Sequence, residues 1–279
     1  MVRVFSKIRK VYPLLNVLML LRVARPLGFR QYLRLYYAPL LWLLHGGVRG
    51  YWELLPEHLL LDSKYGLFYT HALNIGLLFQ ESYEVDRVVP NLVDEGSVFV
   101  DVGAYMGLYT IWACRRAKLV VTVEPNPWAL AYLRANIALN RCDNVKLVPK
   151  ALSDKKGCVE LRVPRPREEG LVPSSPSIVW DFEDAIRLSV ESDTLDNVLS
   201  ELGVGEVDLL KVDVEGAEGL VVKGAQETLR RTRAVLIEIW PENLWIVDHL
   251  RSLGFKLKRI VDHMAYRNYL FIKANPSSP

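Results

Sequence analysis

From residue 97 to residue 273 the chain alternates between short solid apolar runs and longer stretches with apolar residues three and four apart. Ser97 to Asp101, Lys118 to Glu124, Val145 to Val148, Val207 to Asp213 and Ala234 to Ile239 are runs of the first kind. Such runs suit strands covered on both faces in a parallel sheet. Helical spacings fill the gaps. A helix follows the first run from about Leu108 to Ala117, and Leu130, Leu133 and Ile137 mark the buried stripe of another, opened by Asn126 or Pro127. Asp193-Thr194 caps a helix that ends near Leu202, and Pro241 to Leu253 is a helix stopped by Gly254. Lys256 to Val261 and Tyr266 to Lys273 form a hairpin at the end. The repetition predicts an α/β fold with a seven-stranded, mostly parallel sheet and an antiparallel closing hairpin.

One interval breaks the rhythm. Gly157 to Val163 reads as an added strand, and the proline- and serine-rich stretch from Pro164 to Ser177 reads as an excursion. Lying near the carboxyl edge of the sheet, it is expected to be either an acceptor-binding lid or a plain surface loop.

Before residue 96 the texture differs. Leu59 to Asp62 and Gly66 to Thr70 predict two strands joined by a turn, and Ser82 to Leu92 predicts a helix leading into the core. Residues 56–95 are therefore a strand-turn-helix lead-in to a domain spanning 96–279. Residues 1–55 form a basic, apolar segment expected to be helical. Its apolar stretches, Val11 to Leu21 and Leu35 to Val48, are interrupted by Pro13, Asn16, Pro39 and His45. Each falls short of the roughly 18–20 apolar residues of a membrane span. No small-residue cleavage site follows Leu21, so no signal peptide is expected either.

Charge sharpens this picture. Nine Lys and Arg side chains and no Asp or Glu occur up to residue 52, which leaves −6 for the rest of a chain whose net charge is +3. The segment suits an anionic surface, through a helix pair lying in a membrane interface over residues 1–50, or it is a helical cap or dimer contact. Cys114, Cys142 and Cys158 make no C-x-x-C pair and no zinc pattern, so buried free thiols in a reducing, cytoplasmic setting are expected.

The chemistry gathers at two strand ends. Asp101-Val102-Gly103-Ala104-Tyr105-Met106-Gly107 is D-x-G-x-x-x-G running from a strand into a helix. Asp101 ends the strand, where ligands bind in open α/β sheets; Gly103 permits a tight turn and Gly107 a close approach. A nicotinamide dinucleotide asks for G-x-G-x-x-G, and here Tyr105 holds the second glycine's place. That side chain obstructs a pyrophosphate but leaves room for the amino-acid end of S-adenosylmethionine. Glu124, followed by Pro125 and Asn126, ends the next strand and suits ribose hydroxyls. Ser153 and Asp154 either accept from an adenine amino group or form an ordinary turn.

The second cluster is Lys211-Val212-Asp213-Val214-Glu215-Gly216-Ala217-Glu218, beside the first across the switch point. Asp213 is placed to touch a methyl donor or to orient a hydroxyl. Asp213 or Glu215 is the expected proton acceptor, while Lys211, Glu218 and Glu238 are expected to contact the acceptor. Glu215 and Glu218 equally suit the positive end of a helix. No metal is assigned, although Asp213, Glu215 and Glu238 carry the oxygen ligands that magnesium prefers.

Together these stretches resemble the FkbM-type methyltransferases. The resemblance rests on Asp101 to Thr110, Glu124-Pro125-Asn126, the helix end from Asn136 to Asn140, Ala151 to Asp154, Thr194-Leu195-Asp196, Lys211 to Glu218, Lys223-Gly224-Ala225, and Tyr83-Glu84 before the core. It implies a Rossmann-like class I methyltransferase that uses S-adenosyl-L-methionine to O-methylate a hydroxyl on a sugar, glycolipid or related small acceptor. Tyr105 stands where that family often has Asn. An RNA acceptor is disfavoured, because the basic segment is leucine-rich and no RNA-binding module is present. A membrane-associated protein that holds the donor without catalysis is the remaining alternative.

Overall fold

The computed structural model of the chain describes residues 24–28, 33, 58–165, 173, 175–262 and 267–273. Most of the basic segment, and with it the expected interfacial helices, lies outside the described residues. One part of it departs from the helical expectation. Ala24–Pro26 is a short strand, β1, paired antiparallel with β2, His58–Ser63. The chain turns through Ser63, whose Oγ donates to the Gly66 carbonyl at 2.7 Å, and returns as β3, Gly66–His71. Leu59 and Leu61 on one face of β2 are fully buried while His58 and Asp62 on the other are not. That alternation is why this stretch is a strand. Two short helices follow, α1 at Ile75–Leu78 and α2 at Ser82–Arg87.

The main sheet then begins. In chain order come β4 (Val98–Val102), α3 (Leu108–Cys114), β5 (Leu119–Val123), α4 (Pro127–Leu139) and β6 (Val145–Val148). Next are β7 (Ala151–Leu152), β8 (Gly157–Pro164), β9 (Ala185–Asp193), α5 (Leu195–Glu201) and β10 (Val207–Val212). The chain continues with α6 (Glu218–Lys223), α7 (Gln226–Arg230), β11 (Thr232–Ile239), α8 (Trp245–Ser252), β12 (Phe255–Asp262) and β13 (Arg267–Lys273). Asn126 caps α4, its side chain accepting from the Trp128 N–H, with Pro127 at the first helical position; Thr194 caps α5 in the same way, accepting from Asn197.

The seven-stranded sheet runs β12-β13-β11-β10-β4-β5-β6. All pairs are parallel except those made by β13, so the closing hairpin is antiparallel as expected. The order reverses between β4 and β10, which places the switch point between the two sequence clusters. Successive residues of these strands face opposite layers. Phe99 and Leu209 join the core beneath α3 and the lead-in hairpin, while Val100, Val102, Leu210 and Val212 join the core beneath α5 to α8. The added strand, β8, does not enlarge this sheet; it forms a separate three-stranded sheet, β7-β9-β8. β9 was not expected. Its signal is a period of two, Ile186, Leu188 and Val190 alternating with Arg187, Ser189 and Glu191, which a search for solid apolar runs does not catch.

The cysteine expectation is corrected. Cys114 at the end of α3 and Cys142 beyond α4 form a disulfide, with Cα atoms 5.6 Å apart across a separation of 28 residues, and Cys158 is free but exposed. Sequence spacing carries no information about two helix ends that the sheet brings side by side. Among the described residues, no helix is long and apolar enough to cross a membrane.

The lead-in shares the core of the sheet, since Leu59, Leu61, Phe68 and Phe79 pack in one cluster with Phe99, Ile111 and Leu209. Its free edge is finished by side chains. Among the described residues β3 pairs with β2 on one side only, and on the other the Leu67 and Tyr69 N–H groups donate to Asn140 Oδ1 (2.9 Å), at the C-cap of α4, and Asn136 Oδ1 (2.6 Å), within it. Asn140 Nδ2 donates back to the Leu67 carbonyl at 2.7 Å, and Asn136 Nδ2 donates to the Met106 carbonyl at 2.9 Å. Asn136 is completely buried. Asn136→Leu is expected to destabilise the protein by about 2–4 kcal/mol, because it strands a backbone donor and a backbone acceptor together. Urea denaturation measures it, and a loss below about 0.5 kcal/mol would show that the clamp contributes no more than an ordinary surface contact.

Candidate active site

The turn after β4 is held from three sides. Gly103 has φ 77°, and a Cβ there would sit 1.7 Å from the Asp213 carbonyl oxygen, so the two strand ends touch through this glycine. The Gly103 and Ala104 N–H groups donate to the Val123 carbonyl at 2.9 and 3.2 Å. Tyr105, a non-glycine residue, is left-handed with φ 51°, and Glu215 on the opposing turn is left-handed with φ 52°. Backbone strain of this kind concentrates at functional sites. Both residues stand on the wall of one cleft of about 940 Å³, its open mouth included.

Glu124 ties the donor-side loops together. Its Oε2 accepts from the Tyr105 N–H and its Oε1 from the Asn126 N–H, each at 2.8 Å. A carboxylate oxygen has capacity for more than one donor, so these bonds orient the group without exhausting it. Burial pushes the Glu124 carboxyl up to about 7, against the two backbone N–H groups that pull it down.

Beneath the two strand tips lies a buried ammonium. Lys211 and Asp101 are register partners on β10 and β4 and share one face of the sheet. Lys211 Nζ donates to the Gly103 carbonyl at 2.9 Å and lies 3.5 Å from Asp213 Oδ2 and 3.8 Å from Asp101 Oδ1. Burial works against its charge, but Asp213, Glu81, Asp101 and Glu238 together hold it above the usual lysine range. Asp101 is wholly buried, and its Oδ2 accepts from the Thr110 hydroxyl at 2.6 Å. Burial raises its carboxyl despite Lys211 and Thr110.

The expected site residues divide into two groups. Gly103, Tyr105, Glu124, Pro125, Lys211, Asp213 and Glu215 line the cleft. Asp101, Gly107, Asn126, Ser153, Asp154, Glu218 and Glu238 stand outside its lining. Asp101 lies below the glycine turn, and Gly107, with φ 95°, starts α3 against Leu133. Where Ser153 and Asp154 were expected, Lys150, Ala151 and Leu152 form the wall, and the Ser153 hydroxyl donates to Asp154 instead. Glu218 Oε1 accepts from the Val214 and Gly216 N–H groups at 3.2 and 3.1 Å, and its Oε2 accepts from Asn243 at 3.2 Å, so it is spent on shaping the turn. Glu238 accepts from the Trp240 indole N–H at 2.8 Å. Among the described residues, no three His, Cys, Asp or Glu side chains are gathered to hold a metal ion, so Asp213, Glu215 and Glu238 do not form that set.

Two cleft residues were not anticipated. Glu81, at the start of α2, reaches the wall beside Lys211 and accepts from Asn268 Nδ2 at 3.2 Å. Burial pushes it up to about 8, which Lys211 opposes and Asp213 and Glu84 reinforce. Only the docking of the lead-in places it there, and no local pattern announces that. Tyr109 is buried, its hydroxyl has no hydrogen-bond partner among the described residues, and burial followed by the charges of Glu81 and Glu84 holds the phenol well above its ordinary range. Its position in the first turn of the helix after Gly107 was the available signal.

The far rim is built by the end of the proline-rich excursion; residues 166–172 and 174 of it lie outside the described residues. Pro176 and Ile178 line the cleft, and the Ser177 hydroxyl donates to the Glu215 carbonyl at 2.7 Å. Burial and the charge of Asp213 hold the Glu215 carboxyl well above the ordinary range, while a hydrogen bond from Ser175 opposes them.

The chain matches the methyltransferase FkbM domain over residues 101–269, more than half its length. It is 33% identical over 192 residues to methyltransferase sdnD of Sordaria araneosa, covering 57% of this chain and 74% of that protein. It is 28% identical over 187 residues to the 2-O-methyltransferase NoeI of Sinorhizobium fredii, covering 59% of this chain and 72% of that protein. The crystal structure of a methyltransferase FkbM from Methylobacillus flagellatus aligns with a TM-score of 0.47 and 15% identity over 95% of this chain, which spans 60% of that chain's length. A glycine turn at the β4 tip, an acid at the β5 tip and a Lys-x-Asp-x-Glu turn at the β10 tip, on a sheet of this order, agree with the match: the chain belongs to the FkbM methyltransferase family, and its methyl donor is S-adenosylmethionine.

Proposed function

We propose that this methyltransferase O-methylates a hydroxyl of a sugar, glycolipid or related small acceptor. The observation that carries the reading is the pair Asp213 and Glu215, two carboxyl groups on the same cleft wall at the β10 tip, across from the Glu124 end. Hydroxyl oxygens need a partner that takes their proton, and a placed carboxylate does so. The similarity to the 2-O-methyltransferase NoeI, at 28% identity, supports oxygen as the acceptor atom.

The cleft fits the donor. Its wall combines apolar Pro125, Ala151 and Leu152 with Glu124, and one buried hydroxyl, that of Tyr109, has no partner among the described residues. Glu124 would hold the ribose hydroxyls, the backbone from Gly103 to Tyr105 and the Tyr109 hydroxyl would hold the amino-acid end, and the apolar residues would flank the base. Asp101, Gly107, Asn126, Ser153 and Asp154 serve as supports that shape these loops. S-adenosylmethionine supplies, when bound, a methyl group already activated by a positive sulfur.

The protein's remaining work is alignment and proton removal. Lys211 fixes Asp213 by its ammonium and fixes Gly103 by its hydrogen bond, so donor and acceptor walls share one anchor. Asp213 takes the acceptor's proton. Glu215, its carboxyl raised by burial and by Asp213, orients the acceptor oxygen. Glu218 and Glu238 hold the turn and the neighbouring strand end. The strongly basic residues 1–50 bring the enzyme to an anionic membrane surface, where a lipid-linked acceptor is presented.

Asp213→Asn is expected to lower kcat by about 10²–10⁴-fold while leaving donor affinity within about threefold. Transfer of labelled methyl to cellular glycan and lipid fractions, with calorimetry of the donor alongside, measures both; retained kcat would remove Asp213 as the base. Glu124→Gln is expected to weaken donor binding by about tenfold or more. The wild-type affinity should also depend on pH. A carboxyl raised to about 7 is protonated below that value and loses acceptor capacity, so affinity falls as pH is lowered from about 8 to about 6. In Glu124→Gln that dependence should flatten; an identical slope in both proteins would assign it elsewhere.

A further inference from the structure

We propose that the rim beside Glu215 is a carbohydrate-stacking subsite formed by Trp180, Trp240 and Trp245, on which a pyranose ring of the acceptor lies while one of its hydroxyls meets Asp213 and Glu215. The proposal rests on the methyl-transfer reading of the cleft and names the part of the acceptor that the cleft wall alone does not explain.

The three indoles converge on a single turn. A Cβ on Gly216 would lie 2.5 Å from the Trp180 ring, and a Cβ on Gly219 would lie 3.3 Å from the Trp245 ring. Trp180 meets Trp240 edge to face, with centroids 4.5 Å apart, and the Trp240 N–H is held by Glu238. The shelf adjoins the cleft lining by one residue, because the Gly216 that Trp180 packs on follows the Glu215 that lines the cleft. Its outer side is open. Trp245, Leu244 and Val179 are 40%, 51% and 46% exposed. Large apolar rings left open beside a polar cleft mark a binding surface.

Charge decides what lies there. Lys150 and Lys211 are the cations of the described lining, and both are committed: Lys150 to Asp193 at 3.2 Å, and Lys211 to Gly103, Asp101 and Asp213. Against them stand Glu81, Glu124, Asp213 and Glu215. Among the described residues, a phosphate-rich strand finds no uncommitted cation in the cleft lining and meets several carboxyl groups there, with Lys223 standing outside the lining, 5.8 Å from the Trp245 ring centroid. An uncharged ring with an apolar C–H face and a rim of hydroxyls matches both surfaces: the face on indole, the hydroxyls on carboxyl oxygen.

Saturation-transfer NMR on the full chain loaded with S-adenosylhomocysteine tests this. The probes are the methyl pyranosides of glucose, galactose, mannose and fucose, with 1,6-hexanediol and an oligouridylate as comparisons. At least one pyranoside should receive saturation on its C–H face. Trp180→Ala or Trp245→Ala should weaken it by about fivefold or more, Trp180→Phe by less than about twofold, and S-adenosylhomocysteine affinity should stay within about twofold throughout. If Trp180→Ala does not fold, judged by its thermal melt, Trp245→Ala gives the same readout, with Trp180→Phe as the conservative variant that should keep binding. Hexanediol or oligouridylate binding without any pyranoside, or pyranoside binding untouched by the variants, overturns the subsite. Failure of S-adenosylhomocysteine itself to bind overturns the donor reading beneath it.

Discussion

The interaction on which the site depends is the buried ammonium of Lys211. It touches the Gly103 carbonyl on one side of the switch point and lies beside Asp213 on the other, with Asp101 behind. An ion pair taken out of water yields little net stability against a well-packed apolar replacement. Its consequence here is geometric. The parallel register of β4 and β10 sets Asp101 and Lys211 side by side on one face, and the glycine turn allows the carbonyl above them to be reached. Several carboxyl groups then tolerate one another's proximity because a single positive charge stands among them, while burial and the charge of Asp213 push the carboxyls of Glu215 and Glu238 up.

Much of this was legible in the chain. Solid apolar runs located the parallel strands to within a residue or two, since strands covered on both faces leave no room for polar positions. Glu124 and Lys211 to Glu215 were legible because strand tips in such sheets face the ligand. Gly103 and Tyr105 were legible because few residues tolerate that turn. What escaped did so for identifiable reasons. β9 alternates rather than running apolar, and the Cys114–Cys142 bond joins two helix ends that meet only once β5 is in place. Glu81 depends on the lead-in hairpin docking through Asn136 and Asn140, a contact between segments about 70 residues apart.

The turns that flank the donor and acceptor sides resemble each other physically. Each follows a parallel strand, each places a non-glycine residue in the left-handed region, and each has a glutamate that accepts backbone N–H groups, Glu124 for one and Glu218 for the other. Carboxylates do this well because one group can accept several donors at once. The same residue type therefore serves as scaffold or as reagent according to how many N–H groups it already satisfies. Glu218 accepts from two N–H groups of its own turn and from Asn243, whereas Asp213 faces the cleft.

The disulfide gives this architecture an asymmetry. Between Cys114 and Cys142 the chain runs through β5, Glu124 and all of α4, so the Glu124 arm is a closed ring. In the chain-entropy picture a ring of that length disfavours the unfolded ensemble by about 3–4 kcal/mol. The β10 arm has no such tether. Oxidation state therefore acts on one arm alone: reducing the bond removes a restraint from the Glu124 arm while the β10 arm keeps its own.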